Sequence, residues 1–183
     1  VPSWELLRTF KGHENSVNSM ALSPDGKTLG SGSSDQTLKL WSFPKGKLLH
    51  SLQDRKKVVV AVEFSPDGEW VATGSYGGRA AVWNLAGEQV VGIKASPKNL
   101  SSIAFSPDGH TLATAGLGGE IKLWALPSGE QIAELQGHEI AAWGLRFLQN
   151  GKQLVSLGYE QNIRLWDTDT WQPTRVIEAQ EYA

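Results

Sequence analysis

The chain has 183 residues, with 17 Lys and Arg against 19 Asp and Glu, no Cys, one Met and eight Trp. That length suits one domain or at most two, and 40% hydrophobic with 9% aromatic content is enough to build a buried core. The composition excludes a disulfide framework, a thiolate metal site and a cysteine nucleophile, and a net charge of −2 gives no global attraction to nucleic acid or anionic membrane.

No apolar run approaches the roughly 20 residues of a membrane span, and the N-terminal VPSWELLRTF lacks the apolar core of a signal peptide. In chain order, residues 4–10 (WELLRTF) read as a strand, followed by VNSMAL, TLGSGS, TLKLW and KLLHSL. A basic run, Arg55-Lys56-Lys57, reads as a solvated loop before VVAVEF, WVATGS, AAVWN and EQVVGI. These segments are short and rich in β-branched or apolar residues, and no window holds a 3.6-residue period for three turns. Between them stand SPDG at Ser23, Ser65 and Ser106 and LQNG at Leu148, which read as type I turns with Ser ahead to hydrogen-bond the turn. Gly77-Gly78 and Gly118-Gly119 read as two-residue hairpin loops at positive φ, with Asn150-Gly151 carrying a similar signal.

Trp41, Trp83, Trp124 and Trp166 are spaced by 42, 41 and 42 residues, and each of the four turns begins 18 residues before its Trp. Registered self-similarity at about 40 residues signals a stacked array or propeller of supersecondary units. Each unit reads as a four-stranded antiparallel meander, too small to bury both faces alone, so stacking of neighbours supplies the core.

Gly12-His13, then SPDG, SGSSD and TLKLW, resembles a WD40 repeat, and the order recurs as SPDG with ATGSYG and AAVW, SPDG with ATAGLG and IKLW, and GH with LQNG, VSLGYE and IRLWD. The resemblance covers essentially the whole chain. It implies an all-β β-propeller of four WD40-type blades, as part of a larger ring or as half of a dimeric eight-bladed ring. The repeats span 11–52, 53–93, 94–135 and 136–183, with 1–10 as a surplus outer strand. Known members of the family mostly serve as platforms that assemble other proteins.

His13, Ser31, Asp35 and Trp41 contain the residue types of a nucleophile, base and orienter. The resemblance implies a structural reading instead: His in the loop between blades, Ser on the second strand, Asp in the hairpin and Trp on the third strand, in one hydrogen-bond chain. The fourth repeat keeps His138, Ser156 and Trp166 with Glu160 for the Asp. The second has Asp54-Arg55 for Gly-His and Gly77 for the Asp, and the third has Ala95-Ser96 and Gly118, so both lack the full chain. Neither His50 nor His110 has a second ligand at metal spacing, so no metal or cofactor is expected, and no acid–base pair is assigned.

The resemblance implies binding at the hairpin tips and loops of one rim, where Val58, Tyr76, Leu117, Trp143 and Tyr159 place apolar and aromatic side chains. Packing of Val58 and Val60 between blades, and of Trp143 over the central channel, is the alternative. The leading function is a non-catalytic scaffold for a protein partner, with neither nucleic acid nor membrane as a target. An enzyme with a channel-mouth site and the recognition arm of a larger signalling protein are the alternatives. Four third-strand Trp stand against five outer-strand candidates, so the chain reads as a piece of a longer propeller, a half-ring pairing with a second copy, or a four-bladed closed ring. A first residue other than Met favours a fragment or a processed chain.

Overall fold

The computed structural model describes residues 5–53, 55–136, 138–148 and 151–178. Among them all sixteen regular elements are strands. The first sheet comprises β1 (Val17–Leu22), β2 (Thr28–Ser33), β3 (Leu38–Ser42) and β4 (Leu48–Leu52). The second holds β5 (Val59–Phe64), β6 (Trp70–Ser75), β7 (Arg79–Asn84) and β8 (Gln89–Lys94). The third holds β9 (Leu100–Phe105), β10 (Thr111–Gly116), β11 (Ile121–Ala125) and β12 (Gln131–Leu135). The fourth holds β13 (Ala142–Phe147), β14 (Gln153–Gly158), β15 (Asn162–Asp167) and β16 (Pro173–Glu178). In every sheet the strands follow chain order and pair antiparallel.

The turns between first and second strands explain why the meander begins where it does. Ser23 Oγ donates to Asp25 Oδ1 (2.7 Å) and accepts the Thr28 N–H (2.9 Å), while Asp25 Oδ1 accepts the Lys27 N–H (3.0 Å). Ser65 with Asp67 and Ser106 with Asp108 repeat the arrangement. Gly26, Gly68 and Gly109 close these turns at φ of 69°, 75° and 76°, a left-handed conformation that glycine adopts without a Cβ penalty. In the fourth turn Gln149 and Asn150 lie outside the described residues, and the Gly151 N–H donates to the Leu148 carbonyl (2.9 Å).

The hairpins between second and third strands differ from the two-residue loops expected from sequence. They are three or four residues long, and one equivalent position in each takes positive φ: Gln36, Gly78, Gly119 and Gln161. Gly77 also has positive φ, whereas Gly118 is absent from that region. A longer turn with a single left-handed residue is the other common hairpin solution, and it leaves the first loop residue free to bond elsewhere.

The core lies between sheets. Gly30, Leu38 and Leu40 of the first sheet face Val59, Val62 and Trp83 of the second. Ala72, Ala80 and Val82 of the second face Leu100, Phe105 and Trp124 of the third. Ala113, Ile121 and Leu123 of the third face Leu145, Phe147 and Trp166 of the fourth. The strand opposite each inner strand is therefore small where it meets the next sheet: a Cβ on Gly32 would sit 2.5 Å from Val59 Cγ1 and 2.8 Å from Val62 Cγ2. Inner strands β1, β5, β9 and β13 pack in succession as blades.

Among the described residues, two faces of this stack are uncovered. Met20, equivalent by register to Val62, is 73% exposed against 8% for Val62. On the far side Leu157, equivalent to Gly32, is 45% exposed. The expected surplus strand does not form within residues 5–10, because the described residues offer it no partner strand; residues 1–4 lie outside the description. Phe10 nevertheless lies edge-on to Trp41, with centroids 5.9 Å apart, as the outer-strand residues Leu52, Ile93 and Leu135 cover the next blade's core.

Candidate interaction rim

Four equivalent residues open the hairpins at one end of the blades. The N–H groups of Ser34, Tyr76, Leu117 and Tyr159 each donate over 2.9 Å to the carbonyl of Ser16, Val58, Asn99 and Ala141, just ahead of the inner strands. Tyr76 and Tyr159 are exposed, whereas Leu117 and Val58 are half-buried. Trp143 is exposed, at the bulge of β13, with its ring 6.3 Å from that of Tyr159. The sequence-selected residues thus fall into a Val58–Tyr76 pair on the second blade and a Trp143–Tyr159 pair on the fourth, with Leu117 between them.

Trp143 also stands beside the uncovered face of the fourth blade. At the same bulge, Asn18 Nδ2 donates to the Val59 carbonyl (2.9 Å) and Ser101 Oγ to the Ala142 carbonyl, each stitching its blade to the next.

Beneath the rim, His13, Ser31, Asp35 and Trp41 form a continuous chain. Trp41 Nε1–H donates to Ser31 Oγ (2.8 Å), Ser31 Oγ meets His13 Nε2 (2.7 Å), and His13 Nδ1 meets Asp35 Oδ2 (2.7 Å). A carboxylate accepts only, so His13 Nδ1 donates to Asp35. Burial opposes ionisation of Asp35, but Thr37 Oγ1, the Glu14 N–H and His13 all donate to it and hold its carboxyl well below the usual range.

The fourth blade repeats this chain with Trp166, Ser156, His138 and Glu160, at 2.8, 2.7 and 2.6 Å. The longer carboxylate reaches, although Glu160 Oε2 is buried with no hydrogen-bond partner. Against the opposing effect of burial, its own N–H and His138 lower the Glu160 pKa.

In the second blade only the Trp83–Thr73 contact remains of this chain, stretched to 3.4 Å. In the third, Trp124 donates to Thr114 (2.9 Å), and Ser96, at the histidine position, donates to Glu120. That carboxylate comes from two residues beyond Gly118, which is why matching at the hairpin position alone missed it. Ser31 and Ser156 are each committed to an indole and a histidine, an arrangement that satisfies buried polar groups. No group of three His, Asp or Glu side chains suited to a metal occurs among the described residues.

The inner strands hold one further charged pair. Glu63 and Arg146 occupy equivalent positions on β5 and β13, where β1 and β9 have Ala21 and Ala104. They line a cleft with Pro66, Phe105, Pro107 and Phe147, at the turn end of the blades and away from the rim. Burial pushes the Glu63 carboxyl up to about 7, with the Arg146 charge acting in the opposite direction. Sequence reading missed the pair; aligning inner strands by turn position reveals two charges in a column otherwise filled by alanine.

Stacked four-stranded antiparallel meanders, each keyed by a buried third-strand Trp bonded to a second-strand hydroxyl, define a WD40 β-propeller. A family model described as IFT122 first beta-propeller matches residues 2–181, and the chain belongs to that β-propeller family. WD repeat-containing protein 36 of Homo sapiens is 37% identical over 49 residues, 27% of this chain and 6% of its own length. The small ribosomal subunit protein RACK1y of Oryza sativa subsp. japonica is 44% identical over 55 residues, 27% of this chain and 16% of its own. Pre-mRNA-splicing factor prp46 of Aspergillus fumigatus is 38% identical over 47 residues, 26% of this chain and 10% of its own. The similarity therefore spans a small part of each of these relatives.

Proposed function

We propose that the chain is a non-catalytic scaffold that presents one propeller rim to a protein partner, with Val58, Tyr76, Leu117, Trp143 and Tyr159 as the contact set. The observation that carries this reading is the exposure of Tyr76, Trp143 and Tyr159 at one end of rigid blades, with both Tyr positions fixed by the same backbone hydrogen bond. Large aromatic side chains held on a stiff framework lose little entropy on binding and are the usual anchors of protein interfaces. The hydroxyl–histidine–carboxylate chains hold hairpin to loop, which supports the platform reading.

The uncovered faces belong to the same reading. Val155 and Leu157 stand on the fourth blade where Gly30 and Gly32 of the first leave just enough room for Val59 and Val62. A second copy docking its Val17, Met20 and Leu22 there in the internal geometry would overlap them. This supports a ring completed by blades of different sequence over a homodimeric eight-bladed ring or a closed four-bladed ring. Mass in solution tests this part: a stable dimer would overturn it.

The rim is tested by replacing Tyr76, Leu117, Trp143 and Tyr159 with Ala. With folding intact, the variant is expected to lose the partners that the wild-type chain recovers from a native lysate. Unchanged recovery would sink the contact set.

A further inference from the structure

We propose that the second-blade end of the rim is a docking site for an acidic peptide segment of a protein partner, anchored against Tyr76 and held by Arg55, Lys56, Lys57, Lys94 and Lys98. It rests on the platform reading above and assigns that platform a partner chemistry. The chain as a whole carries a net charge of −2, yet five of its 17 cationic residues lie in the loop before β5, at the end of β8 and in the loop after it, and of these Lys57 and Lys94 reach the second-blade hairpin. All five are exposed.

The convergence is geometric. Lys57 runs alongside Gly77, its Cε 3.5 Å from where a Cβ would stand, and Lys94 Nζ donates to the Gly77 carbonyl (2.6 Å). Gly78 lies directly against the Ser96 and Lys98 carbonyls, and the Lys98 stem passes 3.5 Å from a Cβ position on Gly118. Arg55 and Lys56 both adopt left-handed backbone, with φ of 51° and 52°. Two consecutive non-glycine residues there are uncommon, and local strain of this kind persists where surrounding structure holds it.

The sequence changes that dissolve the histidine chain in this blade also create the patch. Where the first and fourth blades carry Asp35 and Glu160, the second has Gly77, so its own hairpin offers no carboxylate to Lys57 and Lys94. Arg55 stands at the histidine position. Among the described residues Glu120 of the third blade's hairpin accepts a hydrogen bond from Ser96 and stands beside the Lys98 stem at Gly118; Asp54 lies outside the described residues. Gathering like charges costs self-repulsion, which an anionic partner relieves while also speeding encounter. Tyr76, 44% exposed, supplies an anchor among the charges.

A peptide fits better than a nucleic acid strand. Farther along the same rim, Glu14 with Asp35 and Glu139 with Glu160 carry negative charge toward any phosphate backbone extending from the patch. Only a short anionic segment matches the basic region without meeting these acids.

The test is fluorescence anisotropy on the 183-residue chain with three labelled probes: a short peptide of Asp and Glu around one Leu, its Asn and Gln counterpart, and oligouridine. The acidic peptide is expected to bind roughly tenfold or more tighter than the neutral one at low salt, with the preference shrinking as salt screens it. Arg55→Gln/Lys56→Gln/Lys57→Gln is expected to abolish the preference without changing thermal unfolding, and Lys98→Gln to reduce it. Equal binding of acidic and neutral peptides, an unaffected triple variant, or tighter binding of oligouridine would overturn the proposal. Partner recovery that depends on Trp143 and Tyr159 but ignores the triple substitution would overturn this site while leaving the platform reading intact.

Discussion

Glu63→Gln should stabilise the protein at alkaline pH and leave it unchanged near pH 4. Glu63 sits in the inner-strand column that is otherwise alanine or Arg146, and burial raises its carboxyl from 4.5 to about 7. Between these values the unfolded chain ionises the group while the folded chain holds the proton, so stability falls as pH rises through the window. A shift of about 2.5 units sets a ceiling near 3 kcal/mol at about 1.36 kcal/mol per unit, and partial access to water trims this to roughly 1–3 kcal/mol. The glutamine amide keeps the shape and the acceptor oxygen for the Phe105 backbone while removing the charge. Urea denaturation of both proteins at pH 4.5, 6 and 8 reads the effect. The expected gain of the variant grows with pH and levels off above about pH 7.5. A difference that is constant with pH, or a variant less stable at pH 8, would refute the burial argument.

Three further outcomes follow from the packing and hydrogen bonds. Gly32→Ala places a methyl 2.5 Å from Val59 Cγ1 and should destabilise by about 1–3 kcal/mol in chemical denaturation; a neutral effect would mean the blades are not in this contact. Ser156→Ala breaks the chain between Trp166 and His138 and should lower stability by about 1–3 kcal/mol, whereas Thr73→Val, whose contact to Trp83 is 3.4 Å long, should cost about 1 kcal/mol or less. Asp35→Asn should be less stable than wild type at pH 7. Because the folded Asp35 pKa lies below its ordinary 3.8, that gap should begin to close as pH falls past about 4, measured by denaturation across the acid range.

What the sequence revealed depended on whether a feature was local or registered. The Trp spacing and the SPDG turns are both, so four meanders and their strand order were legible from residues alone. The chain of His138, Ser156 and Trp166 was legible in the same way, because its members recur at fixed offsets. Features set by contact across blades were not. Glu63 and Arg146 become a pair only when β5, β9 and β13 are aligned side by side, with Ala104 between them leaving the space. Ser96 and Glu120 meet because a side chain reaches back across the hairpin from a position that the repeat pattern does not mark. The hairpin loops were misjudged for a related reason: Gln36 and Gln161 hold the left-handed position that glycine fills in the middle blades, and glycine content alone does not show which residue turns the chain. Residues 4–10 carry strand composition, but a strand needs a neighbour, and composition does not supply one. The basic run at Arg55 reads as an ordinary solvated loop until folding brings Lys94 to the Gly77 hairpin beside Lys57.

The most direct test of the platform reading is site-specific photo-crosslinking in the cell. A photoreactive residue replaces Tyr76 or Tyr159 on the rim, and Glu69 or Lys152 at the turn end serves as control. Rim positions are expected to capture the same protein partner, with little or no product from the turn end. Capture from Glu69 and Lys152 with none from Tyr76 and Tyr159 would place the interface at the opposite end of the blades and contradict the central claim.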